Sequence, residues 1–391
     1  MIRYSCQDIT ESDINAVIEA LRSAWLTQGP IVCEFESLIS EYSTAAHAVA
    51  VNSATSALHI ACLALGVGRG DIVWTSANTF VASANCARYC GATVDFVDID
   101  PETWNMSVER LAEKLRFAKQ NNRLPKIVIP VHLCGQSCEM EAIHALSLEY
   151  GFRIIEDASH AIGGRYQNQP VGSCRYSDVT VFSFHAVKII TTGEGGVALT
   201  RDSDLHKKMM SLRSHGISKD PEDMIGTYLG PWYYEQNELG YGYRMTEIQA
   251  ALGCSQVGRL DEYIQTRNEL AVRYEKLLSD SSVSSQKLIA GAASSYHIYP
   301  IRLERDVKRA EHRQIFEKLR SSGIEVNLHY LPVHLHPYYR ALGFCEGMYP
   351  EAEVYSRTAI TLPLFPNLTM KEQDYIVDIL KSSISSTLSA E

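Results

Sequence analysis

From residue 45 onward the chain alternates between short apolar runs and longer helix-like stretches. AVAVN (48–52), DIVWTS (71–76), TVDFVDID (93–100), KIVIPVH (126–132), FRIIED (152–157), VTVFSFH (179–185) and GGVALT (195–200) predict strands. Between them SATSALHIACLALG (53–66), FVASANCARYCG (80–91), a stretch from Ser107 and EMEAIHALSLEYG (139–151) predict helices, three of which end on a glycine. Strand–helix alternation with short connections argues an α/β fold whose mostly parallel sheet is covered on both faces. The run Val179–Phe184 has no polar face and reads as a buried strand.

The rhythm breaks at 216–240, GISKDPEDMIGTYLGPWYYEQNELG, where Gly, Pro and aromatics appear without a period. This predicts a long loop, and Tyr228, Trp232, Tyr233 and Tyr234 predict that it packs against something. A long helix broken near Gly258 follows, then a Ser-rich stretch at 281–295. In the smaller unit beyond, YHIYPIRL (296–303) and IEVNLHYLP (324–332) predict strands, with the helix RAEHRQIFEKLRSSG (309–323) between them. The N-terminal 40 residues read as mostly helical, with a turn at LTQGP. The division expected is a large domain over 1–255, including an interface loop at 216–245, and a smaller C-terminal α/β domain over 256–391.

Composition narrows the function classes. The 391 residues carry a net charge of −10 and no Lys/Arg block, which argues against nucleic acid and against an anionic membrane as partner. No apolar run reaches the roughly 18 residues of a membrane helix, and MIRYSCQDITESD lacks a signal-peptide core. Ten cysteines scattered through apparent helices and strands read as reduced thiols of a cytoplasmic protein. His132, Cys134 and Cys138 cluster, Cys86 and Cys90 lie four apart, and His329, His334 and His336 share one segment. None of these has finger-like spacing, so no metal site is expected.

Three constellations carry chemistry. Asn52-Ser53-Ala54-Thr55-Ser56-Ala57 joins a strand to a helix, where free N–H groups, the helix dipole and hydroxyls can hold an anion; an ordinary Ser N-cap is the plainer alternative. Asp157 ends the strand FRIIED, where it could cap the next helix or hold a cation in a cleft. Lys188 follows the strand 179–184 and precedes a glycine-rich turn, the position at which open sheets bind ligands. A lysine held in low dielectric can lose its proton and form a Schiff base; a solvated lysine is the alternative. If the two strands share a sheet, Asp157 and Lys188 emerge at one edge. A carboxylate facing a lysine across a ring is what pyridoxal 5'-phosphate requires. Ser183 would reach the same phosphate, and Phe80 could stack on the ring. GVGRG (66–70) follows a helix and precedes a strand, the wrong order for a dinucleotide fingerprint.

NSATSALH, NTFVASAN, IIEDASHAIG, FSFHAVKIITTGEGG, LRSHGI and YRMTEIQAALG, in this order and spacing, resemble the fold-type-I, pyridoxal-phosphate-dependent aminotransferases of nucleotide-linked 4-keto-hexoses, the DegT/StrS type. The likeness spans nearly the whole chain. VHLCGQSCEM, GPWYYEQNELG and HYLPVHLHPYYRALGF look most like the members that serve pseudaminic acid synthesis. The resemblance implies that Lys188 binds the cofactor covalently and shuttles protons. It implies that Asp157 pairs with the pyridine nitrogen, and that Thr55, Ser56 and Ser183 hold the phosphate. Phe80 would stack on the ring and His160 would lie near its hydroxyl. His185, His329 and Tyr330 would face the sugar, with Leu26, Thr27 and Gln28 at the entrance and Arg244 beside them.

The implied reaction moves an amino group from L-glutamate to C4 of UDP-2-acetamido-2,6-dideoxy-β-L-arabino-hex-4-ulose, in a homodimer with shared active sites. Another nucleotide-linked keto sugar, or a non-catalytic regulatory protein on the same fold, are the alternatives. One departure stands out. Relatives read GYNYRM or GFNYRM, with the asparagine reaching the partner's cofactor phosphate, whereas this chain has Gly242 at that place.

Overall fold

The computed structural model describes residues 1–303 and 307–388. Seven strands form the central sheet: β1 (His47–Val51), β2 (Ile72–Ser76), β3 (Thr93–Val97), β4 (Ile127–Ile129), β5 (Arg153–Asp157), β6 (Val179–Ser183) and β7 (Gly196–Thr200). Their spatial order is β1-β7-β6-β5-β4-β2-β3. Neighbours from β6 through β3 run parallel, and β7 runs antiparallel to both β6 and β1. Every residue of β6 and β7 is buried, because helices cover both faces.

The helices are α1 (Glu11–Arg22), α2 (Pro30–Ser43), α3 (Ala54–Ala64), α4 (Ala82–Tyr89), α5 (Val108–Gln120), α6 (Met140–Tyr150), α7 (Ser203–Arg213), α8 (Glu247–Val257) and α9 (Leu260–Leu278). Their ends follow local chemistry. Ser53 Oγ accepts the Ser56 N–H to start α3, and Thr246 and Gln249 form a reciprocal capping box on α8. Gly151 closes α6 in the left-handed region. On α5, Leu111, Leu115 and Ala118 make the buried stripe.

A second, antiparallel sheet orders β8 (Val283–Ser285), β9 (Tyr299–Leu303) and β10 (Ala359–Leu362). It packs with α9, α10 (Arg309–Ser321), α11 (Pro350–Thr358) and α12 (Met370–Leu388), around a core that includes Tyr274, Ile301, Leu319, Ile360 and Leu380. Arg267 on α9 is buried and donates to the carbonyls of Tyr296, His297 and Leu364 at 3.3, 3.1 and 3.0 Å. It thereby ties the long helix to the segment that enters the cavity described below.

One expectation needs correction. Residues 324–332 form no extended strand: Ile324 makes one parallel bridge with Ile2, Asn327 one antiparallel bridge with Thr361, and the pairing stops there. Side chains then take the backbone donors, since Asn327 Oδ1 accepts the Leu328 N–H at 2.8 Å and Asn78 Oδ1 accepts that of Tyr330 at 2.9 Å. Within the described residues the 216–240 loop finds only part of the packing expected of its aromatics. Tyr228 and Tyr233 meet edge to face, yet Trp232 remains 77% exposed. Among the described residues, no helix is long and apolar enough to cross a membrane.

Candidate active site

The carboxyl ends of β5 and β6 open into a cavity of about 550 Å³. Parallel register sets Asp157 beside Val181, so the acid leaves the sheet at the edge where β6 delivers Ser183 and the turn carrying Lys188. Thr55, Phe80, Asp157, His160, Ser183, His185, Lys188, His329 and Tyr330 all line this space. The topology thus gathers residues from five separate stretches of chain.

Burial lowers the Lys188 amine to about 8, with the Asp157 charge opposing that shift. Asp157 is itself 4% exposed and held by three donors. Ser83 Oγ donates to Oδ2 at 2.6 Å, and the Ser159 N–H and hydroxyl donate to Oδ1 at 3.1 and 2.6 Å. Thr79 and Ser83 hydroxyls meet at 2.8 Å. The single Ser83 proton goes to the carboxylate, so Thr79 donates to Ser83.

The amino end of α3 forms one wall through Ser53, Ala54 and Thr55. Gly196 lets β7 approach it: a Cβ at that position would sit 2.5 Å from Ala54 N and 2.6 Å from Ser53 C. Ser56 lies away from the cavity lining. Its hydroxyl donates to Asn52 Oδ1 at 2.7 Å and also meets Ser53 Oγ at 3.0 Å, so it serves the cap.

Three imidazoles stand around Lys188 and all are uncharged at neutral pH. Burial and the lysine charge push His329 down to about 3 and hold His160 and His297 well below the ordinary range. His329 Nδ1 meets Thr361 Oγ1 at 2.9 Å, and its ring lies 5.6 Å from that of Tyr4. The four remaining residues singled out from the sequence lie elsewhere in their own chain. Gln28 and Arg244 line a separate cavity of about 230 Å³. Thr27 bridges to Thr246, and the Leu26 carbonyl accepts from Glu247 N at 3.0 Å.

Tyr4, Asn78, Thr79, Ser83, Ser159 and His297 are site residues that sequence reasoning missed. A signal existed for three of them: SANTFVAS sets polar side chains in an otherwise apolar stretch, and Thr79 and Ser83 are one helical turn apart. The clusters weighed as metal sites are used otherwise. His132 pairs with Glu156 at 2.7 Å and His334 with Glu353 at 2.9 Å. Among the described residues, no group of three His, Cys, Asp or Glu is placed to hold a metal ion.

A half-buried lysine of lowered basicity, a fixed buried carboxylate, a helix amino end and an exposed aromatic, Phe80, on one cavity fit pyridoxal phosphate. Comparison with known proteins agrees. Residues 7–381 match the DegT/DnrJ/EryC1/StrS aminotransferase family. A UDP-4-amino-4,6-dideoxy-N-acetyl-beta-L-altrosamine transaminase of Campylobacter jejuni is 37% identical over 383 residues, 98% of this chain and 97% of that one. The sugar aminotransferase Spr1654 of Streptococcus pneumoniae, described as putative and solved in a PMP form, superposes with a TM-score of 0.90 at 33% identity, covering 99% and 100% of the chains. PseC of Helicobacter pylori, an aminotransferase of pseudaminic acid biosynthesis, gives a TM-score of 0.90 at 32% identity over 98% and 99%. The chain belongs to the DegT/DnrJ/EryC1/StrS family and is a pyridoxal-phosphate-dependent sugar aminotransferase of fold type I.

Proposed function

We propose that this member of the family moves an amino group from L-glutamate to C4 of the UDP-linked sugar UDP-2-acetamido-2,6-dideoxy-β-L-arabino-hex-4-ulose, towards pseudaminic acid, in the cytoplasm. The observation that carries the chemistry is the meeting of Lys188 and Asp157 on one cavity. The choice of sugar is supported by the Campylobacter and Helicobacter relatives, which match over nearly their whole lengths.

When bound, the cofactor supplies an electron sink next to the carbon that gains or loses the amino group. The chain's own residues do the rest. Near pH 7 roughly a tenth of an amine titrating at about 8 is neutral, so Lys188 Nζ can take the α-proton of the amino donor and return it. Asp157 holds a proton on the ring nitrogen by its charge. The α3 N–H groups, Thr55 and Ser183 hold the phosphate, Ser56 stiffens that turn, and Phe80 covers a ring face. His185, His329 and Tyr330 face the sugar.

The working unit in this reading is a homodimer built from a large domain over 1–255 and a smaller one over 256–391. Trp232 and its exposed neighbours lie on the partner, where Leu26, Thr27, Gln28 and Arg244 complete the partner's site. Two measurements test the proposal. Purified UDP-4-keto sugars of L and D configuration, each with glutamate, should show turnover of the L-arabino compound; preference for the D series would reject the substrate. Sedimentation should give a dimer, and a fully active monomer would reject the shared site.

A further inference from the structure

Residues 2–8, ahead of α1, form a strap that is fastened at both ends. At its start the Ile2 N–H donates to the Gly323 carbonyl, and the Ile2 carbonyl accepts from the Glu325 N–H, each at 2.8 Å. The Tyr4 carbonyl accepts from the Leu364 N–H at 3.0 Å, just past β10. At the far end the Asp8 carbonyl accepts from Gln256 Nε2 on α8 at 2.9 Å, and the Asp8 carboxylate accepts from Asn367 Nδ2 at 2.9 Å. Between these anchors Tyr4 lines the active-site cavity and Ser5 is 5% exposed.

The Ser5 hydroxyl donates to the Val187 carbonyl at 3.1 Å. Val187 belongs to the turn 185–188, which leaves the buried end of β6 and whose four residues are all at least partly exposed. Inside the turn the Lys188 N–H donates to the His185 carbonyl at 2.9 Å, and the His185 N–H reaches the Ser183 hydroxyl at 3.5 Å. Among the described residues, the Ser5 bond is the one hydrogen bond that reaches 185–188 from a distant part of the chain. Two internal bonds are few to hold a long side chain for proton transfer, where a misplacement of about 1 Å can cost on the order of 100-fold in rate. The strap supplies a constraint from outside, on the carbonyl of the residue just before the lysine.

We infer that Ser5 is a positioning residue for Lys188: through the Val187 carbonyl it holds the turn so that the amine stands where the proton leaves and returns. This deepens the reading of the site as an aminotransferase centre and rests on it. Lys188 moves a proton in both halves of the reaction. Ser5 therefore serves both, unlike a group that faces the sugar alone.

The test compares wild type with Ser5→Ala and with Ser5→Cys, which nearly keeps the volume and is a weaker donor. A thermal melt confirms that each variant is folded. Hydrogen exchange of the cofactor-free proteins, read by mass spectrometry, should speed up several-fold in the peptide spanning 185–190 of Ser5→Ala. Peptides from β9 and α12 should exchange as in wild type. In the cofactor-loaded proteins, single-turnover rates of the glutamate half and of the sugar half should fall by one common factor of about 3- to 10-fold. Half-saturating concentrations should stay within about twofold of wild type. Ser5→Cys should fall between the other two, and it carries the test alone if Ser5→Ala does not fold. Unchanged exchange at 185–190 or unchanged rates would overturn the inference. So would a loss confined to one half-reaction, which would make Ser5 a ligand contact, or faster exchange throughout the chain, which would make its role one of general stability. Failure of the aminotransferase reading looks different: wild type itself would then show no turnover, while the exchange difference at 185–190 would remain.

Discussion

Ser83 donates its hydroxyl proton to Asp157 across 2.6 Å, from the first turn of the helix that begins just past Phe80. One bond thus links the acid proposed to face the ring nitrogen to the segment that carries Phe80. Ser83→Ala keeps the acid but frees its orientation. A hydrogen bond to a charged group is worth about 1.5–3 kcal/mol, so kcat should fall by at least about tenfold while the melting temperature drops by only a few degrees. Steady-state kinetics and a thermal melt check this; a wild-type kcat would show that Ser159 alone holds the carboxylate.

Lys188→Met should abolish turnover and the borohydride-sensitive visible absorbance of the cofactor-loaded protein. The same substitution has a stability signature without cofactor. The folded-state amine titrates at about 8 against 10.5 for the ordinary lysine, so between these values the unfolded chain binds the extra proton. Stability of the wild-type apo protein then rises with pH across that window, and Lys188's contribution is lost as pH falls below it. The variant lacks this slope and should be more stable than wild type near pH 7. Denaturant unfolding at pH 7 and pH 10 measures the difference, and parallel curves for the two proteins would contradict it.

Cys90 ends α4 beside two other thiols, Cys62 and Cys86, in the core shared with α3. Hydrogen bonding from Cys62 and then the His59 imidazole draw its thiol down to about 6, against the opposing effect of burial. The thiolate is the nucleophile. Iodoacetamide should therefore modify Cys90 at a rate that is nearly flat from pH 7 to 8 and falls below pH 6. Cys62→Ala should move that midpoint upward. Peptide mass spectrometry after timed quenching reads both; a rate that still climbs tenfold between pH 7 and 8 would rule the depression out.

The resemblance implies an asparagine where this chain has Gly242, whose φ lies outside the left-handed region, so an asparagine there meets no backbone strain. The obstacle is the His215 ring, whose Cε1 would lie 3.2 Å from the new Cβ and would have to shift slightly. With a phosphate donor worth about 1.5–3 kcal/mol to gain, Gly242→Asn should bind pyridoxal phosphate at least several-fold more tightly. Equilibrium titration of the cofactor-free proteins decides, and weaker binding would mean that His215 does not yield.

The sheet and the lysine–acid pair were legible because buried strands leave continuous apolar runs, and topology places their ends together. Asp157, Ser183 and Lys188 each follow directly from such a run. Residues 324–332 misled because Ile324, Val326 and Leu328 alternate like a strand, while side-chain capping by Asn78 and Asn327 has no period. The Thr79–Ser83–Asp157 relay was illegible for a related reason: hydrogen-bond direction depends on which proton is left over, and sequence spacing does not record that. Trp232 shows the converse, an apolar signal with no matching surface among the described residues of the same chain.

The uncharged state of His160, His297 and His329 shapes how ligands arrive as well as how they are held. With these three imidazoles neutral, the charges of Lys188 and Asp157 largely offset each other across the cavity, and Glu194 on its lining adds a negative one. The field an approaching phosphate meets is then that of the whole molecule, whose net charge is −10. Like charges repel over about a Debye length, and salt shortens that length. Added salt should accordingly speed the entry of pyridoxal phosphate, the opposite of the slowing seen where a cationic funnel draws an anion in. Capture here depends on short-range donors that act only after the ligand is inside.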